Sequence, residues 1–212
     1  MNREQIRDKI RADVQDEDIA DAVLNGFIQD ADNAIQTWRP QEQGLGMTFD
    51  FWDYLKEMKS YTMTTAGQVR FKLPDNFRSF NKFTIAGDTT PYRRVDEALR
   101  DSYPYHICWI IGQYLYIQAN SLPAGTVANL FFTHMSDEFA TDADEPEVES
   151  IYHTAHVCYG KARYYNRDGD KQLEDQNMAE FEKWMVRKKN DQEIARMQEA
   201  PNEAGFSQSS IA

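Results

Sequence analysis

The chain has 212 residues, of which 41% are hydrophobic and 13% aromatic, so it can bury a core. Its formal net charge of −12 excludes general nucleic-acid binding, which needs clustered Lys and Arg, and predicts repulsion from DNA and from anionic membrane surfaces. No apolar run reaches the roughly 20 residues that span a bilayer, and the polar N-terminus lacks the apolar stretch of a secretory signal. The two cysteines, Cys108 and Cys158, form no CxxC motif, which fits synthesis in a reducing cytoplasm.

The first predicted elements are two helices. Residues 3–13 form a short helix, and residues 16–38 form a longer one in which apolar residues recur at helical spacing. Asp16, Glu17 and Asp18 are predicted to lie in the first turn of the second helix, where they would complement the helix dipole.

The middle of the chain alternates apolar and polar residues, as strands with one buried face do. A short aromatic-rich helix or turn is predicted before this region, at residues 49–58. The last two predicted strands are expected to pair as a hairpin around a Pro-Ala-Gly turn. The predicted strands cover residues 68–74, 80–86, 90–95, 107–111, 114–118 and 127–135, with one helical turn at 96–101.

The C-terminal part begins with an acidic segment. Residues 137–149 contain seven acids and no base, which predicts a solvated loop leading into a helix. Asp144, Pro146 and Glu147 resemble a helix start. A break at residues 166–169 (NRDG) separates this helix from a last one, which is polar after Met185 and is expected to project from the body.

Together these elements predict an α+β fold. N- and C-terminal helices, at about residues 3–38 and 147–198, would form a helical body around a small, mainly antiparallel β-sheet and hairpin insertion at about 63–135. The predicted domain organisation is a single domain over residues 1–199. Residues 200–212 have the composition of an extended tail that becomes ordered on binding.

One cluster could hold a metal ion. Glu149, His153 and His156 fall at i, i+4 and i+7 on one helical face, and carboxylates and imidazoles are competent zinc or iron ligands. The alternative interpretation is a polar helix face opposite the stripe that contains Tyr152. We prefer the polar face, because neither HExxH nor a second ligand-bearing helix is present.

Other chemical motifs are absent from the sequence. It contains no G-x-S-x-G, no phosphate-binding loop and no complete EF-hand loop. We therefore expect no enzymatic activity and no cofactor.

The order of the segments resembles the head-to-tail adaptor, or connector, proteins of tailed bacteriophages. The segments that carry the resemblance are DEDIADAVLNGFIQDADNAI, QVRFKLPDNFRSFNKFTIAG, TPYRRVDEALRD, the predicted hairpin GQYLYIQ…LPAGTVANLFF, and SIYHTAHVCYGKARYYNRDGDKQLEDQNMAEFEKWM. Together they span most of residues 16–197.

The resemblance implies a structural virion protein at the head–tail junction. Family members form a ring, usually dodecameric, that docks on the portal protein, extends the DNA channel and serves as the attachment platform for a tail protein such as a nozzle, tube or stopper. Genome DNA would pass through the ring without specific binding, and no membrane is involved. The family's C-terminal segment often reaches the portal.

Two sets of residues are predicted to make these contacts. In the tail, Phe206 and Ile211 would serve as apolar anchors on the portal. Arg187, Lys188 and Lys189 form a basic run that is predicted to pair with the acidic loop of a neighbouring subunit, because copies of such an acidic chain repel one another.

Two functions from other classes remain as alternatives. One is a metal-dependent hydrolase that uses Glu149, His153 and His156. The other is an acidic DNA mimic, which would use its charge to bind a basic protein.

Overall fold

The computed structural model describes residues 1–39, 52–88, 90–103, 105–118 and 122–199. The chain divides into two compact units: a helical unit, residues 1–49 with 139–212, and a β unit, residues 50–138. The α+β class is confirmed, because helices occupy both ends of the chain and strands occupy the middle. The single domain expected over residues 1–199 stays a prediction, and the tail at 200–212 lies outside the described residues.

Helix α1 spans Arg3–Val14 and agrees with the predicted segment. A capping box begins it: the Asn2 side chain accepts the Gln5 backbone N–H at 2.9 Å, and the Gln5 side chain accepts the Asn2 N–H at 3.1 Å. Ile6 and Ile10 are fully buried on its inner face. The cap and the apolar pair together explain why this short, polar segment is helical.

Helix α2 spans Asp21–Thr37 and begins later than predicted. The expectation that Asp16, Glu17 and Asp18 occupy its first turn is wrong. The Asp16 side chain instead accepts the Asp18 backbone N–H at 3.0 Å, which closes a turn before the helix. Asp21 is the acid in the first turn.

Helices α3, His153–Asp168, and α4, Lys171–Glu199, complete the helical unit. The predicted break between them is confirmed, because Gly169 ends α3 with a φ of 83°. The predicted helix start at Asp144 to Glu147 is wrong. The Asp144 side chain accepts the backbone N–H groups of Ala140 and Thr141 at 2.7 Å each, so it closes a loop, and a 3-10 turn at Ser150–Tyr152 leads into α3.

Helices α1 and α3 approach closely at one glycine. A Cβ atom on Gly160 would lie 2.5 Å from the Cδ1 atom of Ile10 and 3.3 Å from its Cγ1 atom. Ile10 is fully buried and cannot swing into solvent. The absence of a side chain at Gly160 therefore sets the spacing of these two helices.

The β unit contains two sheets. The first has the order β1-β7-β3 and is antiparallel. The second has the order β2-β6-β5-β4, in which β4 runs parallel to β5 and the other pairs are antiparallel. The strands are β1 Lys56–Thr62, β2 Arg70–Lys72, β3 Phe77–Ile85, β4 Arg93–Arg94, β5 Ile107–Ile111, β6 Tyr114–Gln118 and β7 Val127–His134.

The predicted pairing of the last two strands is wrong. β6 pairs with β5 and β2, whereas β7 pairs with β1 and β3, so the two strands lie in different sheets. Buried side chains from both sheets meet in one apolar core, including Leu115 of β6 and Leu130 of β7. β6 and β7 thus contribute to the same core from different sheets rather than pairing edge to edge.

The start of the β unit also differs from the prediction. Part of the segment predicted as a short helix at residues 49–58 lies outside the described residues. The described part is a 3-10 turn at Asp53–Leu55, followed directly by β1. Six of the seven β1 residues are exposed, so the strand lacks the buried face by which strands are recognised in a sequence.

Candidate functional site

The basic run on α4 is partly buried within its own subunit. Lys188 is only 2% exposed, and its ammonium group donates a hydrogen bond to Glu149. The same ammonium group lies 4.6 Å from the centre of the Tyr152 ring. The Tyr152 hydroxyl donates to Asp191 at 2.6 Å. These contacts join the C-terminal half of α4 to the turn that precedes α3.

The two neighbours of Lys188 also have partners on α4. Arg187 lies 3.7 Å from Asp191, with its guanidinium group 5.3 Å from the Trp184 ring. Lys189 lies 3.7 Å from Glu193. Arg187 is the most exposed of the three basic side chains, at 60%. The predicted pairing with a neighbouring subunit stays a prediction, and Phe206 and Ile211 lie outside the described residues.

The acidic segment is anchored to α1. Asp142 accepts hydrogen bonds from Arg3 at 2.8 Å and from Arg7 at 3.2 Å. These hydrogen bonds, that from Arg3 first, lower the pKa of Asp142 below its ordinary value. Arg3 and Arg7 are four residues apart and therefore share one face of α1. Two arginines at this spacing, together with an acidic segment elsewhere in the chain, are the sequence signal for this contact.

The three candidate metal ligands have other partners. Glu149 accepts from Lys188. His153 places its Nε2 atom 2.8 Å from the Val148 carbonyl oxygen, and the Nε2 atom of His156 lies 3.3 Å from Asp32. No group of three or more His, Cys, Asp or Glu residues within the described parts of the chain could hold a metal ion. The metal site of the hydrolase alternative is therefore not formed there.

His153 makes the stability of the helical unit sensitive to pH. It is 1% exposed, and burial lowers its pKa below the ordinary value of 6.5. At a pH between the folded and unfolded pKa values, the His153 side chain binds a proton in the unfolded chain and does not bind one in the folded chain. Stability is therefore complete above about pH 6.5 and decreases as the pH falls from there towards the folded pKa.

We expect the urea midpoint to fall between pH 7 and pH 5.5, and to fall less in a His153→Gln variant. Equilibrium unfolding at both pH values, followed by far-UV circular dichroism, measures this. An equal fall in the two proteins would mean that another group causes the pH dependence.

Charge is divided unevenly between the two units. The helical unit contains 14 Lys and Arg against 25 Asp and Glu, a net charge of −11. The β unit contains 9 Lys and Arg against 10 Asp and Glu, a net charge of −1. Almost all of the net negative charge of the chain therefore lies in one unit.

Within the parts of the chain that the structure describes, each helix is too short or too polar to span a bilayer.

A family model described as "SU10 adaptor protein" matches residues 1–205 of the chain. A comparison of the chain with curated proteins found no match.

Proposed function

We propose that copies of this chain form a ring beneath the portal. The premise is that the chain belongs to the SU10 adaptor protein family, a phage head-to-tail adaptor family. Membership gives the protein a structural role at the head–tail junction of the virion. It implies that the protein assembles into an oligomer and interacts with portal and tail components. The finer proposal is a ring, taken as dodecameric, that docks on the portal, extends the DNA channel and provides the attachment platform for the tail.

The uneven charge of the two units supports the channel function. A conduit must let DNA slide, so its wall should not bind phosphates, and an acidic wall prevents binding by repulsion. The helical unit carries a net charge of −11, and a ring multiplies that charge by its copy number. We therefore assign the channel wall to the helical unit and not to the nearly neutral β unit.

The same repulsion acts between neighbouring subunits and must be offset by local pairing. Lys188 is already bound to Glu149 of its own chain, so it cannot serve a neighbour without breaking that contact. Arg187 lies on the solvent side of α4 and is the member of the run that best fits a contact with the acidic segment of a neighbour.

Mixing the purified full chain with the portal protein of the same phage, followed by electron cryomicroscopy, tests the proposed function. We expect a ring of this protein on the portal, with the symmetry of the portal and with the helical unit facing the central channel. A portal that stays bare at saturating protein would contradict the docking, and a ring with the β unit at the channel would contradict the assignment of the wall.

Removal of residues 200–212 is expected to weaken portal docking and to leave folding unchanged. The segment follows the end of α4, is polar, and carries two separated apolar residues, Phe206 and Ile211, as do segments that fold on binding. Portal binding by biolayer interferometry and thermal unfolding of the truncated chain measure the two effects.

A full-length variant with Phe206→Ser and Ile211→Ser should reproduce the docking defect, and a matched variant with Ser207→Ala and Ser210→Ala should not. Normal docking of the truncated chain would show that the tail is not needed.

A further inference from the structure

Strand β1 forms an accessible edge of the first sheet. It pairs with β7 on one side, and within the described residues no strand pairs with its other side. Residues 56–60 are exposed, and Met58 is 51% exposed. An open edge exposes backbone N–H and C=O groups that can pair with another strand.

The hydrogen-bond pattern shows which residues of β1 face the open side. Met63, directly after β1, donates its backbone N–H to the Thr126 carbonyl at 2.9 Å. Alternate residues of an antiparallel strand point their backbone groups to opposite sides, so the odd-numbered residues of β1 bond to β7. The even-numbered residues, among them Met58 and Ser60, therefore direct their N–H and C=O groups to the open side.

The opposite edge of this sheet, β3, is protected. Two register irregularities interrupt β3, between Phe77 and Ser79 and between Phe80 and Lys82. The Tyr92 backbone N–H also donates to the Phe83 carbonyl on its outer side, at 2.8 Å. Bulges and covering segments of this kind prevent strand addition. Within the described residues, neither a bulge nor a covering segment protects β1 along residues 57–60.

The charges of β1 are self-complementary. Glu57 and Lys59 lie on the same face of the strand, because they are two residues apart. Neither side chain forms an ion pair with any part of the chain that the structure describes. Two copies of β1 can run antiparallel with Met58 opposite Met58 of the partner subunit. In this register Glu57 lies opposite Lys59 of the partner subunit, and by symmetry the same pair forms a second time.

The backbone agrees with this register. Met58 faces Met58 of the partner subunit, and Ser60 faces Lys56 of the partner subunit, so even-numbered residues with outward backbone groups meet each other. A register centred on Lys59 would instead place two lysines in opposition, and like charges directly opposite are destabilising.

We propose that two copies of this chain associate through β1, antiparallel and centred on Met58, so that the sheets of both subunits join into one six-stranded sheet. The contact is isologous and has twofold symmetry. It goes beyond the proposed function, because it belongs to the free protein and needs neither portal nor tail. The contact area of one strand edge is small, so the dimer is weak and forms in a concentration-dependent way.

Sedimentation equilibrium of the full chain over a range of concentrations tests this contact. We expect a monomer–dimer equilibrium for the unchanged chain. Glu57→Lys or Lys59→Glu alone replaces both opposite-charge pairs with like-charge pairs and should raise the dimer Kd by about tenfold or more. The double variant Glu57→Lys with Lys59→Glu restores both pairs and should restore the dimer.

Controls for net charge come from an exposed pair in the helical unit. Glu180→Lys and Lys183→Glu change the net charge as the two test variants do, and should leave the dimer unchanged. Met58→Pro removes a backbone N–H on the open side and should abolish the dimer. The subunit should still fold, because the bonds to β7 remain and edge strands tolerate proline. Unchanged thermal unfolding shows that each variant is folded.

A chain that stays monomeric at all concentrations would overturn the proposal. So would single reversals that leave the dimer Kd unchanged, or a double variant that fails to recover. None of these outcomes bears on portal docking, so the dimer and the ring can fail independently.

Discussion

Replacing Phe83 with alanine is expected to lower the free energy of unfolding of the β unit by about 3–5 kcal/mol. The Phe83 side chain is fully buried between the two sheets. Its ring centre lies 5.4 Å from that of Phe71 and 5.7 Å from that of Tyr92, the latter edge to face. Truncation leaves a cavity that a β-sandwich core cannot close and removes both aromatic contacts. Urea unfolding followed by tryptophan fluorescence measures the loss.

Phe83→Leu is the matched control. This substitution keeps most of the apolar volume, so it should lower the free energy of unfolding by about half as much as the alanine substitution, or less. An alanine variant as stable as the leucine variant would show that the core relaxes around the site, which would contradict a tightly packed interface between the sheets.

Replacing Lys188 with glutamate is expected to destabilise the helical unit by about 2–4 kcal/mol. The substitution places a carboxylate at a position that is 2% exposed and beside the carboxylate of Glu149. It also removes the cation above the Tyr152 ring. The figure lies below that for a fully buried pair, because Glu149 is 60% exposed and keeps much of its hydration. Thermal and urea unfolding, followed by far-UV circular dichroism, measure the effect.

Arg187→Glu, one position earlier on the same helix, is the control for this variant. Its side chain is exposed, so the change in stability should stay within about 0.5 kcal/mol. If both reversals were equally mild, Lys188 would not hold the turn before α3 in place. If Arg187→Glu alone impaired ring formation on the portal, the two basic residues would have separate functions, one in folding and one in assembly.

The elements that the sequence predicted correctly are those encoded by local patterns. α1 and the break at Gly169 follow from a capping pair and from a residue that accepts a positive φ. The start of α2 was mispredicted because acids before a helix can complement its dipole or cap a turn of their own. Asp16 does the second, and its side-chain bond to the Asp18 N–H decides between the two.

The pairing of strands could not be read from the same patterns. Residues of β6 and β7 alternate in the same way whether the strands pair side by side or belong to two sheets that share a core. The choice depends on β1 and β3, which flank β7 and come about 50 to 70 residues earlier in the chain. β1 itself carries no apolar alternation that would mark it.

The charged segments of the candidate site could be recognised from composition, but their contacts within the chain could not. The basic run at 187–189 and the acidic segment were both visible in the sequence, and their interaction was expected between subunits. The structure shows that Lys188 binds Glu149, 39 residues away in the same chain, and that Arg3 binds Asp142, 139 residues away. Pairings over such separations depend on how the helices pack, which local charge patterns do not specify.

The division of charge between the units also bears on solubility. A β unit with a net charge of −1 and an open sheet edge would have little electrostatic protection against aggregation if it were produced alone. The helical unit supplies that protection in the whole chain, since its net charge of −11 makes copies repel one another. Residues 50–138 produced alone should therefore precipitate at concentrations at which the whole chain stays in solution.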